Sequence, residues 1–205
     1  MNPGHDPVQG FYRFHAPIYD WTRWAFLFRR DAAIRAMAIQ PSHKVLEVGC
    51  GTGLNFHPVA KHLDADRGGH LVGLDFSAAM LARARRRVER RGWPHVTCVQ
   101  ADASTMRLDQ SFDGILFSYS LAMIPDWRGA LDRAREHLAP AGRVVVLEFG
   151  QFEGWPILGR GCRAWLRMNH VDVSQPYTEA LRERFASVQV TPWLGGYAYI
   201  ATATH

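Results

Sequence analysis

Three groups of residues in this chain could do chemistry. The first is the run VLEVGCGTG, Val45 to Gly53, in which Gly49, Gly51 and Gly53 alternate behind an acid, Glu47. Without a Cβ, glycine lets the backbone turn tightly and come close to a ligand, so alternating glycines at a strand end describe a loop built to hold one. The second is Asp75, with Phe76 beside it, about twenty residues further on, where a carboxylate can accept both hydroxyls of a ribose. Capping a helix that starts after Ser77 is its other reading. The third is QADAS, Gln100 to Ser104, whose Asp102 could hydrogen-bond an adenine amino group or serve only its own turn.

The pattern between these groups says what positions them. KVLEVG (44–49), HLVGLD (70–75), VTCVQA (96–101), FDGILFSY (112–119) and GRVVVLEF (142–149) read as strands. Helical segments fall between most of them, notably 77–91 with Ser77 as N-cap, and 127–138. Strands alternating with helices predict an α/β fold, a mostly parallel sheet covered on both faces, with the glycine loop at the end of its first strand. SVQVTPW (187–193) and YAYIATAT (197–204), separated by LGG, predict an antiparallel pair closing one edge. Residues 44–205 are thus expected to form one domain, with 1–43 as an N-terminal helical lid.

Composition narrows the partners. The chain has 205 residues, 47% hydrophobic and 21% charged, as a single globular domain does. No apolar run approaches the roughly 20 residues that span a bilayer, and MNPGHDPVQG lacks the pattern of a secretory signal, so the expected compartment is the cytoplasm. Three cysteines at wide spacing describe neither a disulfide framework nor a zinc site, and ten histidines include no pair at metal-binding helical spacing. A net charge of +5 points to an anionic partner. In RARRRVERR (83–91), Arg83, Arg87 and Arg90 read as a solvated outer face with Met80, Leu81, Ala84 and Val88 packed inward.

Together the loop, the acid and the third-strand turn resemble the class I S-adenosylmethionine-dependent methyltransferases, whose first motif has the form E/D-x-G-x-G-x-G. A nicotinamide site would read G-x-G-x-x-G, with its third glycine one position later. The resemblance implies a Rossmann-like sheet of seven strands with an antiparallel terminal strand. It also implies S-adenosylmethionine as cofactor and S-adenosylhomocysteine as product. By the same analogy Glu47, Gly49 and Gly51 lie near the methionine part of the cofactor, Asp75 at the ribose and Met80 beside the adenine, with Gly53 and Phe76 also among the cofactor-binding residues. Asp102 and Ala103 would lie at the adenine edge, Ser118 on the sulfonium side and Tyr19 over the reacting methyl.

Substrate class is read partly from what is missing. After the fourth strand the chain reads SYSLAMIPDW, without the Asn/Asp-Pro-Pro-aromatic turn of nucleic-acid amino-methylating enzymes, and no cysteine follows a proline, so nucleic acid is not the expected acceptor. YRFHAPIYDWTRWAFLF (12–28), LFSYSLAMIPDW (116–127), LEFGQFEGWP (147–156) and AWLRMNHV (164–171) are similar to the bacterial betaine-lipid N-methyltransferases. Close relatives of those enzymes methylate phosphatidylethanolamine. The resemblance implies a lipid head-group amine as acceptor, methylated successively, by an enzyme bound peripherally to the inner face of the membrane. Leu54 stands where a basic residue often follows the loop, which leaves the head group open.

Physical chemistry favours a lipid surface on separate grounds. The stretch FYRFHAPIYDWTRWAFLFRR (11–30) places aromatic rings beside arginines, and GWPILGRGCRAWLR (154–167) does the same, as interfacial helices do. An amine must lose its proton before it can attack the methyl group, and Tyr19, His15 and His170 are the candidate acceptors. A quaternary product would be stabilised against rings such as Tyr12, Tyr19 and Tyr119. The alternatives are methylation of a soluble amine, quinone or phenol, and a non-catalytic protein that binds S-adenosylmethionine.

Overall fold

The structure, a computed structural model, describes residues 28–155, 157–168 and 171–205. Its centre is a seven-stranded sheet of β1 (Lys44–Val48), β2 (His70–Asp75), β3 (Val96–Gln100), β4 (Phe112–Ser118), β5 (Leu138–Phe149), β6 (Ser187–Trp193) and β7 (Ala198–Thr204). They lie in the order β3-β2-β1-β4-β5-β7-β6. The first five are parallel, and β7 runs antiparallel between β5 and β6, the strand pair expected from the sequence. The order reverses between β1 and β4, so the loop after β1 opens at the switch point where open α/β sheets bind ligands.

The helices cover both faces because successive strand residues point to opposite sides. Val45, Leu71 and Leu116 face a core completed by α1 (Arg30–Ala36), α2 (Phe56–Ala60) and α3 (Ala78–Arg91). Leu46, Val72 and Phe117 face a core completed by α4 (Trp127–Glu136) and α6 (Tyr177–Arg184). Burial on both faces explains why these strands read as continuous apolar runs. Between β5 and α6 lies α5 (Leu158–Met168). Within the segment expected to be a lid, Ala33 and Ile34 of α1, and Met37 after it, are buried against the sheet. Residues 1–27 lie outside the described residues.

Local chemistry sets the helix ends. Ser77 Oγ accepts from Met80 N at 3.4 Å, and Gly92 closes α3 in the left-handed conformation, φ 61°. Asp126 caps α4 by accepting from Gly129 N at 2.9 Å. The helix after the glycine loop is shorter than the motif suggests: turns occupy residues 51–55 and only Phe56–Ala60 is helical. Pro58 has no N–H to continue an earlier turn.

Phe56 joins the loop to the sheet. Its fully buried ring fills the space that side chains at Gly53 and Gly73 would need, and a Cβ on Gly53 would stand 2.6 Å from it. Phe56→Ala should destabilise the protein by roughly 3–5 kcal/mol in denaturant unfolding, because the cavity lies between a loop and a strand that cannot close on it.

Candidate active site

Glu47 is the second-last residue of β1 and is only 2% exposed. Its Oε1 accepts from Asn55 Nδ2 at 2.7 Å, while its Oε2 and Asn55 Oδ1 are buried without hydrogen-bond partners among the described residues. Burial pushes the carboxyl up to about 8; the Asn55 hydrogen bond and Arg30 oppose the rise, and Asp75 adds to it. A carboxyl with an unanswered oxygen beside an unanswered amide oxygen is a place prepared for a donor, and best for a cation.

The glycine loop leaves this acid with Gly49, Gly51 and Gly53 all at positive φ. A Cβ on Gly49 would lie 2.5 Å from that of Ser120, whose Oγ donates to Val48 O at 2.6 Å, so the loop is pressed against the end of β4. A Cβ on Gly51 would meet no atom of the described residues within 4 Å, which leaves space among them beside the loop. Asp75 makes two backbone contacts: its Oδ2 accepts from Gly51 N and its Oδ1 from Ser77 N at the start of α3, each at 2.8 Å. One carboxylate thus ties the loop to the start of α3.

Beyond Ser120 the cleft changes character. Tyr119 sits at φ 54°, uncommon for an aromatic residue, and is held there by its hydroxyl, which donates to Phe28 O at 2.9 Å, and by the Phe149 ring at 4.6 Å. Phe149 meets Tyr197 at 5.7 Å, and Tyr197 in turn meets Phe28, Phe152, Trp155 and Trp193, each within about 6 Å. Burial raises both phenols, Tyr119 well above the usual range and Tyr197 to about 12, so the wall is uncharged at neutral pH. A separate cavity of 470 Å³ lies beside Phe152 and Trp155, with Glu153, Arg163, Arg167 and Val173 also lining it.

Residues 45–142 match the family described as a methyltransferase domain. The 2-phytyl-1,4-naphtoquinone methyltransferase of Thermosynechococcus vestitus is 31% identical over 162 residues, covering 72% of this chain and 70% of that protein. The demethylmenaquinone methyltransferase of Anoxybacillus flavithermus is 32% identical over 139 residues, 65% of this chain and 58% of that one. The chain belongs to the S-adenosylmethionine-dependent methyltransferases. It spans just over half the length of several demethylmenaquinone methyltransferases that it matches. In fold it is similar to a SAM-dependent methyltransferase from Aquifex aeolicus, with a TM-score of 0.66, 17% identity and coverage of 86% and 89%. It is also similar to the N-methyltransferase NodS from Bradyrhizobium japonicum, with a TM-score of 0.63, 21% identity and coverage of 85% and 84%.

The residues present fit this family's cofactor. The partnerless Glu47 oxygen, the open space at Gly51 and the partnerless buried Ser118 Oγ are groups and space that a polar ligand would use. The structure brings Glu47, the three glycines and Asp75 together around one loop. Ala101 N donates to Asp75 O at 3.2 Å and Gln100 Nε2 to Phe76 O at 3.3 Å, which carries Asp102 to the same end of the sheet. Asp102 is exposed, and its Oδ1 already accepts from the Ser104 amide and hydroxyl at 2.8 and 2.7 Å. Ala103 and Met80 are buried, and Phe76 is half-exposed. Tyr19, His15 and His170 lie outside the described residues.

One reading is corrected. Arg87, expected on a solvated face, is partly buried, and its Nε donates to Thr52 O at 3.1 Å, bracing the glycine loop from α3. Sequence reading also passed over Asn55 and Ser120, whose roles depend on contacts across elements. Only their closeness to the loop and to the end of β4 could have signalled them.

Glu47 predicts a pH dependence. In the fold it keeps its proton up to about 8, whereas an ordinary carboxyl releases it near 4.5. Stability contributed by the neutral form is therefore complete below 4.5 and is lost as pH rises through about 8. Thermal unfolding of the ligand-free protein should show Glu47→Gln gaining on the parent by on the order of 4 kcal/mol between pH 5 and pH 9. Parallel curves for the two proteins would contradict the assignment.

Proposed function

We propose that the chain methylates the ring of a reduced, tail-bearing quinol, with the glycine loop holding S-adenosylmethionine and the aromatic wall holding the acceptor. The ring cluster carries this reading: Tyr119, Phe149 and Tyr197 pack into a largely buried, apolar and uncharged group beside the loop, an environment that suits an aromatic acceptor. The names of the curated relatives, which act on demethylmenaquinone and 2-phytyl-1,4-naphtoquinone, support the same acceptor.

Each residue group then has a task. Glu47, with Asn55, receives the cationic amino end of the cofactor's methionine part, and its proton leaves as that cation arrives. Asp75 accepts from the ribose while keeping Gly51 in place, Asp102 and Ala103 border the adenine with Met80 and Phe76, and Ser118 donates toward the sulfonium side. When bound, the cofactor supplies an electrophilic methyl group on a positively charged sulfur. The chain's part is alignment at near-attack distance and exclusion of water.

For a quinol acceptor, loss of a phenolic proton makes the neighbouring ring carbon nucleophilic. A carbon–carbon bond forms as the carbon–sulfur bond breaks, and the ring C–H proton is then lost to restore aromaticity. Tyr19, His15 and His170 are the proposed acceptors of these protons. Tyr119 is unsuited to that role, since its hydroxyl is raised far above neutrality by burial and donates to Phe28 O.

A lipid head-group amine is the second reading, favoured by one observation: the same rings could stabilise a quaternary ammonium by cation–π contact. Labelled S-adenosylmethionine, incubated with the full chain and a panel of acceptors, decides between them. Label is expected in a prenylated 1,4-naphthoquinol lacking its ring methyl, and only under reducing conditions. Label in diacylglyceryl-homoserine or phosphatidylethanolamine instead, or in no acceptor, would overturn the proposal. Separately, Glu47→Gln should weaken S-adenosylhomocysteine binding at least about tenfold by calorimetry, through loss of a charge-assisted bond in a dry site.

A further inference from the structure

The helix α5 has two apolar sides, and the fold uses only one. Leu166 and Gly159 are buried, with Gly159 packed on Phe152 and Trp155, so one side is fixed to the aromatic wall. The other side faces outward. Leu158 is 72% exposed and Met168 80%, Trp165 is half-exposed between them, and Ile157, just before the helix, is 84% exposed. Leu158 and Trp165 are seven residues apart and Trp165 and Met168 three, so on a helix they share one ridge.

The patch continues beyond the helix. Gly154 N donates to Gly195 O at 2.9 Å and Gly195 packs on Trp155, which sets the β6–β7 turn beside the start of α5. That turn presents Leu194, 52% exposed, and Phe28, 47% exposed, stands 5.7 Å from Trp193. Large apolar side chains exposed side by side mark an interaction surface rather than scattered exposure.

Charge identifies the occupant. Arg160 and Arg167, seven residues apart, are exposed on the flank of α5, and between Gly154 and Val171 the sequence contains no acid. Arg163 is partly buried and donates to Gln151 O at 2.6 Å, so it anchors the helix. An apolar ridge with a Trp and flanking arginines matches a bilayer of anionic lipid: the ridge enters the acyl boundary and the guanidinium groups meet phosphates. No helix among the described residues is long and apolar enough to cross a membrane, so the contact is with one face.

We infer that α5, with Ile157 and the Leu194 turn, docks the protein on an anionic lipid surface. Arg163 and Arg167 of this helix also line the 470 Å³ cavity, which is bordered by Phe152 and Trp155, two rings that meet Tyr197. The purpose of docking rests on the proposed membrane-borne acceptor; the surface itself does not, since it would serve a lipid amine equally.

The test is sedimentation of the full chain with vesicles of phosphatidylcholine alone or mixed equally with phosphatidylglycerol. Binding is expected to the mixed vesicles only and to weaken with added salt. The triple variant Ile157→Ser, Leu158→Ser, Met168→Ser, and separately Arg160→Glu with Arg167→Glu, should each reduce it at least about tenfold. Both should keep S-adenosylhomocysteine affinity, which shows that they fold. Unchanged vesicle binding in both variants would overturn the docking surface, as would a dimer in the parent that the triple variant dissolves. Methyl transfer to detergent-dispersed acceptor is the separate arm: it should stay within about twofold in the triple variant, whereas failure of the quinol reading would appear there in the parent too.

Discussion

A carboxyl kept dry at the end of a parallel strand is the constraint around which this molecule is arranged. Glu47 is buried, has one oxygen answered by Asn55 and the other by nothing among the described residues, and holds its proton to about 8. Burying such a group weakens the fold unless a ligand completes it. The neighbouring features make that completion possible. Gly51 leaves open space, Ser120 presses the loop against β4, and Asp75 and Arg87 fix it from the side of α3.

The sheet divides the cleft into two environments. Toward β2 and β3 it offers carboxylates and backbone groups, suited to a ribose and a purine. Toward β5 and β7 it offers rings. The second environment exists because β7 returns antiparallel between β5 and β6, which brings Tyr197 and Trp193 to the end of the sheet where Phe149 emerges. A parallel strand in that place would have started at the opposite end. The polar side fits the family's common cofactor, and the ring-lined side is apolar.

Much of this was legible in sequence because strands buried on both faces announce themselves as apolar runs and alternating glycines announce a tight loop. Asp75 was legible as a residue at the start of α3, where its Oδ1 accepts from Ser77 N, but the hold of its other oxygen on Gly51 N was not. Asn55, Ser120 and Arg87 were not legible, because each acts through a partner eight to seventy-two residues away that only the fold brings near. The acceptor was the least legible. Aromatics interleaved with arginine describe a protein that meets lipid, and the same pattern suits a lipid amine or a tail-bearing quinol. The relatives, named for quinones, favour the second.

The central claim is that Glu47 waits, protonated, for the cation its ligand brings. Calorimetric titration of the full chain with S-adenosylhomocysteine at pH 7, repeated in buffers of different ionisation enthalpy, counts the protons exchanged on binding. Since pH 7 lies below the Glu47 value of about 8, nearly a full proton should be released per ligand bound, and the release should vanish in Glu47→Gln. Tight binding with no proton released would contradict the account.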